Sequence, residues 1–314
     1  MGEFRLKPNN IILNVWQRIF FQLSYNFMWR FILVIFVIST AIFSSDSSRA
    51  QENSEIRVNF AYAFQLGFGS YDIGGVKVRV IKLPISHTFD LPQYEKLKLK
   101  VSAPLYYGHF EFEGVTPDGL KITADQHILS FIPGLELQYE ILDNWYLKPF
   151  GNVGIGWAIA DKLRPVGIGN SDTSTIYIYT AGLKSLYEIF WERFKFSIGN
   201  AILWAGNTTF QEGADDESYG ALENGVEALH PLGFKIKGYE PDASVFFVYY
   251  RFLPDAEFSR FLRDPLKVKN QYEIAGTLGS ATPLKLWIIN NPRIGVGYRF
   301  GDLNVFTINF GFPF

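Results

Sequence analysis

"LSFIPGLELQYEILDNWYLKPFGNVGIG", residues 129–156, is the stretch from which the architecture can be read. Leu129, Phe131, Leu135, Leu137, Tyr139 and Ile141 alternate with Ser130, Gly134, Glu136, Gln138 and Glu140. A period of two gathers the large apolar side chains on one face of a strand, whereas steps of about 100° would scatter them round a helix. Asp143-Asn144 then supplies tight-turn chemistry, and the chain returns through Leu147, Val153, Ile155, Trp157 and Ile159. Lys148, Asn152, Gly154 and Gly156 oppose them. A face of glycines and polar groups suits a confined interior, and a face of large apolar groups suits lipid, which is the alternation of a membrane-spanning β-barrel.

The pattern extends in both directions. Leu97, Leu99, Val101, Ala103 and Leu105 alternate with Lys98, Lys100 and Ser102. Further runs lie near 175–189, 194–206, 217–229, 243–253, 269–279 and 284–300, while Val76 to Ile85 loses its phase. Nearer the N-terminus, "EIRVNFAYAFQLGFG" at 55–69 places Ile56, Val58, Phe60, Tyr62, Phe64, Leu66 and Phe68 on one face. It is expected to be the first strand, with Phe60 and Phe64 facing lipid. Connections at 106–126, 160–174, 207–216 and 254–268 are long and polar, and those at 143–144 and 190–193 are short. This asymmetry also fits a barrel, although 230–242 and Gly301-Asp302 break it. The expectation is all-β: an antiparallel up-and-down transmembrane barrel of about twelve strands, with ten or fourteen as alternatives. An even count sends both termini to the periplasmic side. A large soluble β-sandwich is the competing fold, and the amount of aromatic side chain on the apolar faces argues against it.

The chain closes with "NVFTINFGFPF" at 304–314. Phe306, Ile308, Phe310, Phe312 and Phe314 are expected to share the lipid face of a closing strand, opposite Thr307, Asn309, Gly311 and Pro313. A C-terminal aromatic preceded by apolar residues at every second position resembles the signal read by the outer-membrane β-barrel assembly machinery.

At the other end, Phe31 to Phe43 is a run of apolar residues too short for a spanning helix, which needs about 20. Arg30 precedes it and Ser48-Arg49-Ala50 follows as a small-x-small cleavage site. Residues 1–50 therefore read as a secretory signal peptide and 51–314 as the barrel domain. An uncleaved anchor helix is the alternative. Starting at Met28 gives a leader of ordinary length, which makes residues 1–27 an upstream start or a long n-region.

Composition agrees with export. The 314 residues contain no cysteine, which removes disulfides and thiolate chemistry, and 30 Phe with 17 Tyr and 28 Gly favour strands and close packing. The formal charge is −2, and no basic stripe interleaved with aromatics points to nucleic acid.

The stretches 129–156, "YGALENGVEALHPLGF" at 219–234 and "RIGVGYRFGDLNVFTINFGFPF" at 293–314 together resemble the family of solitary outer-membrane autotransporter-like β-barrels. The resemblance covers most of 55–314. It implies a twelve-stranded barrel in the outer membrane of a Gram-negative bacterium, reached through the secretion translocon and the assembly machinery. In autotransporters such a barrel follows a passenger and a helical linker. Here the expected first strand begins about five residues after the cleavage site, so a barrel without a passenger is expected.

Chemistry is sparse. His87, His109, His127 and His230 are the histidines. His109 and His127 flank a long loop that holds Asp118 and Asp125, and a His–Asp pair there would serve general-base chemistry at a rim. Occasional polar loop residues are the plainer explanation, and no catalytic residue is assigned. No HExxH or cysteine cluster indicates a metal, "EGADDE" at 212–217 reads as a solvated acidic loop, and no phosphate loop or cofactor motif is present. The interior is expected to carry Arg57, Asn59, Gln65, Glu136, Gln138, Glu140, Lys148, Asn152, Glu273, Arg293, Arg299 and Asn309. Opposed charges there would either cross-link the wall or line a narrow path. Three functions follow in order: a structural or surface-interaction barrel, a narrow channel for small solutes or peptides, and a rim enzyme acting on lipid or peptide. Partners are outer-membrane lipid and lipopolysaccharide, with no cofactor.

Overall fold

A computed structural model describes residues 60–73, 76–115, 121–164, 173–209, 217–257, 267–286 and 289–314. The expected leader, its cleavage site, Arg57, Asn59 and Asp118 lie outside the described residues. Among the described residues, one helix, α1 (Phe60–Leu66), precedes seventeen strands. These are β1 (Phe68–Ile73), β2 (Val76–Leu83), β3 (Ser86–Asp90), β4 (Leu97–Ser102), β5 (Leu105–Val115) and β6 (Lys121–Phe131). Next come β7 (Gly134–Leu142), β8 (Trp145–Arg164), β9 (Thr173–Trp191), β10 (Phe194–Thr209), β11 (Glu217–Pro231) and β12 (Pro241–Glu257). Last are β13 (Lys267–Ser280), β14 (Lys285–Leu286), β15 (Ile289–Asn290), β16 (Ile294–Gly301) and β17 (Val305–Asn309).

Twelve of these strands close a ring in the order β1, β2, β5, β6, β8, β9, β10, β11, β12, β13, β16, β17. Every pairing round it is antiparallel, and β1 meets β17 through Phe68 opposite Ile308, Gly69 opposite Thr307 and Ser70 opposite Phe306. Closure leaves the ring without a free edge, which is what a strand-built structure needs where no water can satisfy the backbone.

The remaining longer strands extend the wall at one end. β3, β4 and β7 continue β2, β5 and β6 beyond a crease that crosses three neighbouring strand lines at Pro84, Pro104 and Pro133. Proline has no N–H to give a ladder, so single prolines are normally confined to edges or bulges. Here the three breaks lie side by side, and the ladder is kept by neighbouring donors. Ala103 N donates to Ile85 O at 2.8 Å, Ile132 N to Pro104 O at 3.3 Å and Val153 N to Pro133 O at 3.0 Å. The loss of phase in Val76–Ile85 lies within β2, whose pairing with β5 is unbroken: Val78 and Val80 are apolar on the inward face, and Ile81 and Leu83 on the outward one.

Strand ends flanking 116–120, 165–172, 210–216 and 258–266 gather at one end of the barrel, here the loop end. The turns at 91–96, 143–144 and 192–193 mark the turn end. Asn144 has φ of 63°, the left-handed geometry that suits asparagine in a two-residue turn. The outward face carries the large apolar residues, Val153, Ile202, Val296 and Phe306 among them. The inward face carries Ala, Gly, Tyr and charged groups: Tyr219, Ala221, Glu223, Gly225 and Glu227 alternate inward along β11.

Two expectations about the chain ends are corrected. Residues 60–66 are not wall strand. They form α1 inside the ring, where Phe60, Ala61, Tyr62, Ala63 and Phe64 are all buried. A lone extended segment in a closed lumen would have no edge to pair with, while a helix satisfies its backbone internally and tolerates apolar groups on every side when it is surrounded. Phe60 and Phe64 therefore face the lumen. At the other end, β17 stops at Asn309, and Gly311 takes φ of 119°. Phe306 and Phe310 remain exposed on the outside, but Phe312 and Phe314 pack against the buried core. The five aromatic and apolar residues thus do not share one face.

The contacts of α1 fix its direction. Phe60 meets Phe110 and the Ala61 N–H meets Asn207, both near the loop end, whereas Phe64 meets Tyr106 and Gln65 meets Glu223, further down. The chain descends through α1, turns at Gly67 (φ 87°) and rises through β1.

Candidate functional site in the barrel lumen

The lumen has two tiers. Towards the loop end it is apolar and aromatic, and α1 fills it. Tyr62 stands edge-on to Tyr219 and Phe252, with centroids 5.9 and 5.2 Å apart, and Phe60 stands edge-on to Phe110 at 5.3 Å. Such pairs add about 0.5–1.5 kcal/mol beyond the area they bury. The polar atoms of the helix find partners in the wall: Tyr62 Oη donates to Gln271 Oε1 at 3.2 Å, and Asn207 Oδ1 accepts the Ala61 N–H at 3.3 Å. The second contact is a helix cap supplied from a strand distant in sequence, and it satisfies one of the donors left open at a helix start.

Gln65 joins the tiers. Its Nε2 donates to Glu223 Oε1 at 2.7 Å and its Oε1 accepts from Tyr219 Oη. Beside it runs a network centred on Glu273. Arg299 Nε donates to Glu273 Oε2 at 2.9 Å, Tyr250 Oη donates to the same oxygen at 2.7 Å, and Thr307 and Asn309 both reach Oε1 at 3.1 Å. The guanidinium also lies over the Tyr250 ring at 4.5 Å. This network ties β12, β13, β16 and β17 together next to the closing seam.

The turn-end tier is charged and receives the C-terminal tail. Lys184 Nζ donates to Pro313 O at 2.8 Å and lies 3.6 Å from Glu136, while its ammonium sits 5.2 Å from the Phe150 ring centroid. Gln138 Nε2 donates to Glu136 at 2.8 Å, and Lys148 is buried. Two glycines make the space for the tail. A Cβ on Gly199 would stand 2.2 Å from the Phe314 ring, and one on Gly225 would stand 2.7 Å from Phe314 and 3.0 Å from Phe312. Phe312 also packs on Phe246 at 5.7 Å. Arg293 bonds Asp242 at 2.6 Å and Thr277 at 3.2 Å.

Gln65, Glu136, Gln138, Lys148, Arg293, Arg299 and Asn309 therefore stand in these lumen networks. Asn152 lies against Gly134, where an added Cβ would meet its Oδ1. Glu140 instead accepts the Asn144 N–H at 3.0 Å and holds the turn. Glu223, Lys184, Tyr219, Tyr250 and Asn207 were not singled out from the sequence, and Tyr62, Phe312 and Phe314 were expected on the apolar outward face rather than in the lumen. Glu223 sits in an alternating run that could have revealed it. The others depend on what fills the lumen.

Histidines do not join this site. His109 and Asp125 do meet, at 2.7 Å, but on the outward face of β5 and β6. His87 lies on Phe89 and His230 on Phe194.

The fold has solved counterparts. The translocator domain of autotransporter NalP from Neisseria meningitidis superposes with a TM-score of 0.51 and 10% identity, over 76% of this chain and 81% of that one. The beta domain of the Bordetella autotransporter Brka gives a TM-score of 0.50 and 9% identity, over 76% of this chain and 92% of that one. The barrel is autotransporter-like. At these identities the likeness concerns the fold. No protein-family model and no curated protein sequence matches the chain.

Proposed function

We propose that the chain is an integral outer-membrane barrel, without a passenger domain, that closes its own lumen and acts as a structural or surface-interaction protein. Occupancy of the lumen from both ends of the barrel sequence carries this reading: α1 fills the apolar tier and Phe312 with Phe314 enter the charged tier. A narrow channel would need a continuous polar path, and buried aromatic rings on α1 stand in the way. The outward apolar belt supports contact with lipid and lipopolysaccharide. Passage through the secretion translocon is supported by the leader and cleavage site expected after Ala50, which also carries the absence of a passenger. Recognition by the assembly machinery is supported by the aromatic C-terminal run, which would be read before Phe312 and Phe314 pack inside. The His109–Asp125 pair gives a hydrolase little support, because it stands outside the lumen with its neighbours on a strand face.

Planar-bilayer recordings test the closed lumen. The full-length mature protein is expected to show no steady conductance. A variant lacking residues 51–66 should still assemble, keep its heat-modifiable gel mobility and conduct. Steady conductance in the unaltered protein would defeat the closed-lumen reading and favour the channel.

A further inference from the structure

The outward face of β5 and β6 holds a side-chain cluster that the lumen does not use. His109 and His127 are direct cross-strand partners, and their rings are parallel within 6° with centroids 4.3 Å apart. Asp125 lies one outward position along, its Oδ1 2.7 Å from His109 Nε2 and 3.7 Å from His127 Nε2. The three residues can present ligand atoms that all lie within 4.8 Å of one another. An ion held at about 2.0–2.2 Å by each of three tetrahedral ligands needs them about 3.3 Å apart, so small rotations of partly exposed side chains suffice.

The outer contacts match what a metal-binding imidazole needs. His127 Nδ1 is hydrogen-bonded to Tyr107 Oη at 2.7 Å, and His109 Nδ1 lies 3.7 Å from Glu111 Oε1. In His127 one nitrogen is thereby oriented by Tyr107 while the other faces Asp125; His109 is held directly by Asp125, with Glu111 near its other nitrogen but beyond hydrogen-bond distance. The first is the arrangement that fixes tautomer and raises ligand basicity around bound metals. The cluster lies towards the loop end of the outward face beside the exposed Arg79–Glu111 pair, and the side chains of His109, His127 and Asp125 are 15%, 32% and 46% exposed, which gives an ion a polar entry path.

We propose that His109, His127 and Asp125 bind one first-row transition-metal ion of the zinc class, with a fourth position open to the surroundings of the barrel. Two imidazoles and one carboxylate favour such an ion over Mg2+ or Ca2+, which take oxygen ligands. A cross-strand ion pair alone would account for the His109–Asp125 contact. It would not account for His127 being aimed at the same carboxylate with its far nitrogen held by Tyr107. The sequence offered these residues only as a His–Asp pair flanking a long loop at 106–126; most of that stretch instead forms β5 and β6, whose register makes the two histidines direct partners.

Calorimetric titration of the purified mature protein in detergent, prepared without an oligohistidine tag, tests this with Zn2+. One saturable site per chain is expected in the wild type. His109→Ala and His127→Ala should abolish it while leaving heat-modifiable mobility intact, and His109→Gln guards against loss through misfolding. Tyr107→Phe should keep the stoichiometry and weaken binding about 10–100-fold. His87→Ala with His230→Ala should leave binding unchanged. Absence of saturable wild-type binding, or binding retained in folded His109→Gln and His127→Ala, would overturn the site. Equal competition by Mg2+ would overturn the assigned metal class.

Discussion

Residues 60–68 and 304–310 look alike in sequence and end in opposite places. Both alternate large apolar residues with small or polar ones. In β17 the alternation is real: Val305 and Thr307 are buried inward, and Phe306 is 76% exposed outward. In 60–66 the same spacing is coiled into α1, and Tyr62 is fully buried. The difference is a partner. β17 lies between β16 and β1 and can spend its backbone groups on both. α1 lies within a ring whose edges are already paired, so only a helix satisfies its backbone. Periodicity reports which face is apolar once a strand exists; it does not report whether an edge is available.

The sharpest way to break this contrast is to place charge on each side of the wall. Ile202 is outward on β10, and Ile202→Arg should destabilise the barrel by about 2–4 kcal/mol near mid-bilayer, measured by reversible unfolding in lipid vesicles. Phe60→Arg should instead release α1 and leave the wall assembled, read as conductance with retained heat-modifiability. If Phe60→Arg blocked assembly and Ile202→Arg did not, the inside and outside would be exchanged.

The tail offers a finer probe. Gly199→Ala drives a methyl into the Phe314 ring, and overpacking of this kind costs about 1–3 kcal/mol. Phe314→Ala should relieve most of that cost, so the double variant should be far less destabilised than the sum of the singles. Additive effects would show that Phe314 does not occupy the space beside Gly199.

The smallest expected effect tests the cap. Asn207→Ala removes the acceptor for the Ala61 N–H and should weaken docking of α1 by about 1 kcal/mol, the usual loss for a helix cap. Brief channel openings, with the unfolding midpoint of the wall barely changed, are the expected signature. A wall destabilised by several kcal/mol would mean that Asn207 serves the strand rather than the helix.

The hairpin 134–152 shows how much the sequence settles by itself. Its period of two, the Asp143-Asn144 turn and the inward Lys148 and Asn152 are all visible in order, because they depend on neighbours in the chain and on the pleat. The same local rule gave the twelve-strand barrel and the outward apolar belt. Tertiary structure alone decided the rest. Glu136 meets Lys184 only after β8 brings β7 and β9 together, and His109 meets His127 only through the register of β5 on β6. The prolines at 84, 104 and 133 read singly as strand breakers, and their alignment into one crease depends on three registers at once. The fate of the two ends was the least legible. Whether an alternating segment becomes wall or filling is set by ring closure, which uses up the backbone edges and leaves later or earlier segments only the lumen or the outside.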